Sequence, residues 1–388
     1  MGVTRTYLDH NASAPLRPQA RAAMLAALEG CGNASSVHHE GRAARALVEE
    51  ARAALAQLAG VRAKDVTFTS GGTEAANLAL VPEISAGRNT KPLDGLLLSA
   101  GEHACVLAGH RFAPDKVEVL PLDRQGVLDL AALAAALKRH SGRRLMLALQ
   151  HANNETGVIQ PVSQAAALVH AHGGLVMCDA VQSVGKLECT MAALGADFLI
   201  VSAHKLGGPK GAGALIYDRD TLHICHALVR GGGQEGGARA GTENVAAIAG
   251  FGAAVQAALA DRADNGARLG QWRDAMELAI TALAPDAVFF GAQATRLPNT
   301  SAFAIPGLSA ETLLIGLDLE GIAVSSGSAC SSGKVRRSHV LDAMGVEAGL
   351  AQGALRSSFG WCSRAEDVAA FAAALEKVLQ RARRMKAA

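Results

Sequence analysis

Short apolar runs separated by polar or glycine-rich breaks recur along the first two thirds of the chain. They fall at 66–69, 96–98, 117–120, 145–149, 175–178, 198–201 and 212–217, and are mostly continuous rather than alternating. Strands of that kind are buried on both faces, as in a largely parallel sheet covered by helices. Helical patterning between them predicts helices over 17–28 and 41–59, the second with Leu47, Leu55 and Leu58 on one side, and an Ala-rich helix containing 130–137. A glycine-rich loop covers 231–242, and a long helical stretch over 243–283 serves as connector. The last hundred residues change character. Strands near 289 and at 301–305, 322–324 and 355–359, with helices at 311–319 and at the end, predict a smaller α+β domain. The expected division is a large domain over 15–260 and a small one made of 1–14 and 261–388.

The polar residues between the apolar runs are not scattered. Ser-Gly-Gly-Thr-Glu follows the run at 66–69, Gly-Glu-His that at 96–98, and His-Ala-Asn-Asn-Glu-Thr-Gly that at 145–149. Asp-Ala-Val-Gln-Ser follows 175–178, and Ser-Ala-His-Lys follows 198–201. Ligands of such sheets sit outside the carboxyl ends of the strands, so five converging loops describe a pocket.

Lys205 in that pocket is an amine able to form a Schiff base with an aldehyde, as lysines do with carbonyl substrates and with pyridoxal phosphate (PLP). PLP also needs an acid for its pyridine nitrogen, a phosphate cradle and a group against its ring. Asp179 suits the nitrogen. Gly71-Gly72-Thr73 opens a helix after a strand and suits the phosphate, with Ser202 and His204 as further donors. His103 has a planar ring for stacking and a pKa for proton transfer. Asn154 and Gln182 suit the phenolic oxygen.

Composition narrows the setting. The 388 residues are half apolar, carry a net charge of +2 and hold seven cysteines. Near-neutral charge gives no reason to expect nucleic acid or an anionic membrane as partner. The cysteines are odd in number and widely scattered, without a CxxC pair, which argues against a disulfide framework or zinc site and for a reducing compartment. No apolar run reaches spanning length, and the start lacks an apolar leader, so a cytoplasmic protein is expected.

The motifs together resemble the cysteine desulfurases, within the class V aminotransferase-like branch of fold type I PLP enzymes. The resemblance runs through Tyr-Leu-Asp-x-Asn-Ala, Thr-Ser-Gly-Gly-Thr-Glu, Gly-Glu-His, His-x-Asn-Asn-Glu-Thr-Gly and Asp-Ala-Val-Gln-Ser-Val-Gly-Lys. It continues through Ser-Ala-His-Lys-x-x-Gly-Pro-Lys-Gly, Gly-Gly-Gly-Gln-Glu, Arg-x-Gly-Thr-Glu-Asn and Ser-Ser-Gly-Ser-Ala-Cys-Ser-Ser-Gly. The last separates desulfurases from aminotransferases sharing the lysine.

It implies a large PLP-binding domain with a mainly parallel seven-stranded sheet covered by helices, plus the smaller α+β domain. It also implies that Lys205 holds PLP, Asp179 pairs with the ring nitrogen, and His103 stacks and moves protons. Asn154 and Gln182 would contact the phenolic oxygen, and Gly72, Thr73, Ser202 and His204 the phosphate. Thr242 would reach the phosphate of a partner subunit, making the active form a homodimer. Arg356 would pair with the carboxylate of L-cysteine, with Asn154, Asn33 and Arg239 nearby.

Cys330, in a Gly/Ser-rich segment followed by Lys334, Arg336 and Arg337, would take the sulfur as a persulfide and release L-alanine. A neighbouring cation favours the thiolate this needs. The sulfur would pass to an acceptor such as an iron–sulfur scaffold protein, with no resident metal and Cys330 at most a transient cluster ligand. An aminotransferase or lyase without sulfur transfer, or a non-enzymatic phosphate-ligand binder, would have no use for Cys330.

Overall fold

The computed structural model describes residues 5–87, 90–326 and 337–387. Seven strands form the main sheet: β1 (Val66–Thr69), β2 (Gly95–Ser99), β3 (Val117–Leu120), β4 (Leu145–Gln150), β5 (Leu175–Asp179), β6 (Phe198–Ser202) and β7 (Gly213–Tyr217). Their order is β1-β7-β6-β5-β4-β2-β3, parallel throughout except for β7, which runs antiparallel to both neighbours. The continuous apolar runs have the cause expected of them. Leu97, Leu147, Leu149, Val176, Cys178, Leu199 and Val201 pack on one face. Leu96, Leu98, Met146, Ala148, Met177, Phe198 and Ile200 pack on the other. In the five central strands side chains alternate between two dry faces, so the positions inside them are apolar, whereas the edge strands carry Thr67 and Thr69 (β1) and Glu118 (β3).

The helices Pro18–Leu28 and His39–Ala59 were legible to within two residues at their starts. The connector was not one helix. Val245–Ala260 and Arg262–Leu283 meet at 71° across Asp261, whose carboxylate is held by Arg17 at 2.7 Å. A tertiary ion pair thus sits at a bend that helix periodicity does not mark. No single helix among the described residues is long and apolar enough to cross a membrane.

The C-terminal part carries a four-stranded antiparallel sheet in the order Val288–Phe289, Thr300–Ala304, Leu355–Ser358, Ser325–Ser326. The strand expected over 322–324 is present as Ile322–Ala323 and pairs with the N-terminal Thr6–Tyr7, while a separate strand, Ser325–Ser326, pairs with Leu355–Ser358. That exchange ties the N-terminus to the C-terminal part. A small antiparallel pair, Ile84–Ala86 with Leu222–Ile224, had no sequence signal beyond three residues each.

Candidate active site

Register brings the strand ends level: Gln150 lies opposite Asp179, Asp179 opposite Ile200, and Ser202 opposite Gly213. Beyond them opens a cavity of about 280 Å³ lined by Gly72, Thr73, His103, Asn154, Asp179, Gln182, Ser202, His204, Lys205 and Arg356. Ten of the sequence-derived residues therefore meet in one place. Asn33 and Thr242 do not line this cavity and are exposed. Arg239 instead pairs with Glu74 at 3.0 Å. Cys330 lies outside the described residues, as do Lys334 and Arg336.

Lys205 ends a one-turn helical segment directly after β6. Its Nζ donates to the carbonyl oxygens of Asn11 at 2.7 Å and Ala12 at 3.0 Å. Asp179, the last residue of β5, is buried, and its Oδ1 accepts from the Val181 N–H at 2.9 Å. Burial pushes its pKa up, and the Val181 N–H, His103 and Lys205 partly offset this. His103 caps the short helix Ala104–Leu107, its Nδ1 accepting from the Cys105 N–H at 3.2 Å. That nitrogen carries no proton while it accepts, which assigns the neutral ring's proton to Nε2. The Cys105 Sγ lies 3.0 Å from the same Nδ1. His204, beside Ser13 at 3.2 Å, is pushed down to about 4 by burial and by Lys205 and Lys210, so it stays neutral at physiological pH.

Arg356 comes from the four-stranded sheet and is buried. Its Nη1 donates to the Asn154 carbonyl at 2.9 Å and its Nη2 to Asp9 at 2.7 Å. Its Nε has no hydrogen-bond partner among the described residues, nor has the Gln182 Oε1. Buried polar atoms without partners are costly, so a polar ligand in this cavity has donors and acceptors to satisfy. The Gln182 amide nitrogen is engaged by the Asn11 carbonyl at 3.0 Å rather than held out for a phenolic oxygen.

Sequence reasoning left out Asp9, Asn11 and Cys105 as site residues. The first two sit in the Tyr-Leu-Asp-x-Asn-Ala motif, but nothing local reveals that they anchor Arg356 and Lys205 across the chain. Cys105 has no signal apart from its distance of two residues from His103.

The donor set fits PLP. A lysine amine, a buried carboxyl and a helix opening at Gly72 converge. A side chain at position 72 would meet Val181 at 3.0 Å, so the glycine keeps the helix start open to a close ligand.

The family model described as aminotransferase class-V matches residues 6–371. A cysteine desulfurase of Cereibacter sphaeroides is 42% identical over 93% of this chain and 92% of its own length. Cysteine desulfurase IscS of Dictyoglomus turgidum is 38% identical over 97% and 95%. The NifS-like protein of Rickettsia africae ESF-5 superposes with a TM-score of 0.87 at 32% identity, covering 97% of this chain and 99% of that one.

Proposed function

The chain belongs to the class-V aminotransferase family, in its cysteine desulfurase branch, and on that footing we propose how its residues divide the removal of sulfur from L-cysteine. The enzyme is PLP-dependent. When bound, the cofactor supplies an electron sink for the substrate's α-carbon.

Lys205 is the residue that holds it, and Asp179 keeps the ring nitrogen protonated from a buried position where a charge partner offsets desolvation. Gly72, Thr73, Ser202 and His204 bind the phosphate, the neutral His204 as a donor. His103 would hold the ring and would move protons through Nε2, because Nδ1 is occupied by its helix cap. Asn154 and Gln182 would contact the phenolic oxygen. Arg356 orients L-cysteine by its carboxylate, a task suited to a guanidinium with its Nε still open.

Cys330 then takes the sulfur. An S–S bond forms to its thiolate as the substrate C–S bond breaks, and the carbon skeleton leaves as L-alanine after protonation. The residues flanking its segment support this placement: Ser325 lies opposite Arg356, and Ser338 donates to Glu155, next to Asn154, at 2.5 Å. Thr242, exposed on one chain, serves the phosphate site of a second copy in a homodimer. The persulfide passes to a sulfur-acceptor or iron–sulfur scaffold protein in the cytoplasm. The small domain of 1–14 and 261–388 carries the cysteine toward a large domain of 15–260.

The observation that carries this reading is one cavity shared by Lys205 and Asp179 of one sheet and Arg356 of another. The purified enzyme should convert L-cysteine to alanine plus reducible sulfane sulfur. Cys330→Ala should keep the visible absorbance of lysine-bound PLP and lose the sulfane product. Undiminished sulfane production by that variant contradicts the assignment.

A further inference from the structure

The N-terminal segment lies alongside the end of the strand Leu355–Ser358. The Ser358 N–H donates to the Leu8 carbonyl at 2.7 Å, and the His10 N–H donates to the Ser358 carbonyl at 3.2 Å. That path delivers Asn11 to the seam between the two sheets, where it is buried. Each of its polar atoms is engaged. Toward the four-stranded sheet its N–H donates to the Ser358 hydroxyl at 2.9 Å and its Nδ2 to the Thr300 hydroxyl at 2.8 Å. Its Oδ1 accepts from the Asn299 amide at 3.0 Å. Toward the seven-stranded sheet its carbonyl accepts from Lys205 at 2.7 Å and from Gln182 at 3.0 Å.

The same side chain also reaches Arg356. The Asn154 carbonyl accepts from the Arg356 Nη1 at 2.9 Å and from the Asn11 Nδ2 at 3.3 Å. Arg356 is therefore joined to Lys205 through one shared carbonyl and one residue. Ser358 stands two residues after Arg356 on the same strand, so both side chains project to one face and one strand anchors both.

We propose that Asn11 is a positioning residue that sets the separation between Lys205 and Arg356, so that the amine and the carboxylate of one amino-acid substrate are met together. The proposal rests on the assignment of Lys205 to the cofactor and Arg356 to the substrate carboxylate. An α-amino acid carries both groups on one carbon, so an error in the spacing of their receptors costs rate even when each receptor is intact. An amide is the side chain the place demands. Its Nδ2 meets two acceptors, the Asn154 carbonyl and a Thr300 hydroxyl whose own proton goes to the Asn299 Oδ1 at 3.0 Å. A carboxylate of the same shape sets an acceptor against both.

The test is rapid mixing of the holoenzyme with L-cysteine or with cysteamine, which keeps the amine and thiol and lacks the carboxylate. The change in the visible absorbance of lysine-bound PLP gives a rate constant for each, and their ratio reads how well amine and carboxylate are met together. Arg356→Ala should bring the ratio down toward unity. Asn11→Ala should lower it about tenfold, the scale of a misplacement within an ångström, while the cysteamine rate stays near that of the wild type. Asn11→Asp should lower it at least as far despite its matching shape. A role in stability alone slows both compounds alike, so an unchanged ratio in Asn11→Ala overturns the proposal. Loss of the lysine-type absorbance in a folded Asn11→Ala protein overturns it too, by making Asn11 a cofactor-holding residue. Should that variant fold poorly, Thr300→Val, which removes the hydroxyl that receives the Asn11 amide, should lower the ratio in the same direction, and an unchanged ratio there overturns the proposal. Arg356→Ala separates the two levels. If it leaves the ratio at the wild-type value, the assignment of Arg356 fails. If it lowers the ratio while Asn11→Ala does not, only the role of Asn11 fails.

Discussion

In the seven-stranded sheet the polar groups of the site stand at successive strand ends; in the four-stranded sheet a single side chain, Arg356, reaches the cavity from within a strand. The first arrangement is fixed by register over two apolar faces, so Asp179, Ser202 and the Lys205 turn inherit the rigidity of the core. The second is fixed by polar contacts that cross the molecule, from Arg356 to Asp9 and to the Asn154 carbonyl. On the proposed assignment the difference is a division of labour: a cofactor retained through many turnovers would be gripped by the core, and a substrate that comes and goes would be met by one guanidinium on the neighbouring sheet. Of the described residues nearest Cys330, Ser325 lies opposite that guanidinium, whereas Ser338 and His339 contact Glu155 and the Glu102 carbonyl.

The strongest way to break the comparison is to remove one anchor from each side. Lys205→Ala should lower turnover by about a thousandfold or more, as expected when a covalent nucleophile is lost. It should also abolish the lysine-dependent visible absorbance. Retained absorbance would move the cofactor grip elsewhere. Arg356→Ala should leave that absorbance intact and raise KM for L-cysteine by about a hundredfold, the scale of losing one buried charge-assisted contact. Should it instead strip the cofactor while KM stays level, the division between the sheets collapses.

A smaller effect concerns pH and stability on the large-sheet side. Burial holds His151 down to about 4, from an ordinary value of 6.5. Between those values the unfolded chain binds a proton that the folded chain refuses, so this group lowers stability as pH falls through that window. Glu102, whose pKa burial raises well above the carboxylate range, acts in the opposite sense by favouring the folded state in acid. The clean readout is therefore a difference. His151→Gln should show a smaller fall in denaturant midpoint between pH 7 and pH 5 than the wild type, and an identical fall would assign the acid sensitivity elsewhere.

Much of this was legible before the structure because the relevant signals are local. The five dry central strands announce themselves by continuous apolar runs, and the residues that follow each run lie at its carboxyl end, as Asp179 and Lys205 do. What was not legible depends on distant partners. The connector bends at Asp261, where Arg17 reaches it, the strand Ile322–Ala323 finds its partner in the distant Thr6–Tyr7, and Asn11 supplies the carbonyl that receives both Lys205 and Gln182. Asn33 and Thr242 were placed by resemblance, and a single chain leaves them exposed and away from its own cavity.

The claim that the two regions meet in one reaction is tested most directly by mass analysis of the Cys330 peptide after the holoenzyme has met L-cysteine without an acceptor. The peptide should gain the mass of one sulfur atom in the wild type and none in Lys205→Ala. Alanine formation with an unmodified Cys330 peptide, the extra sulfur residing on another cysteine or on none, would contradict it.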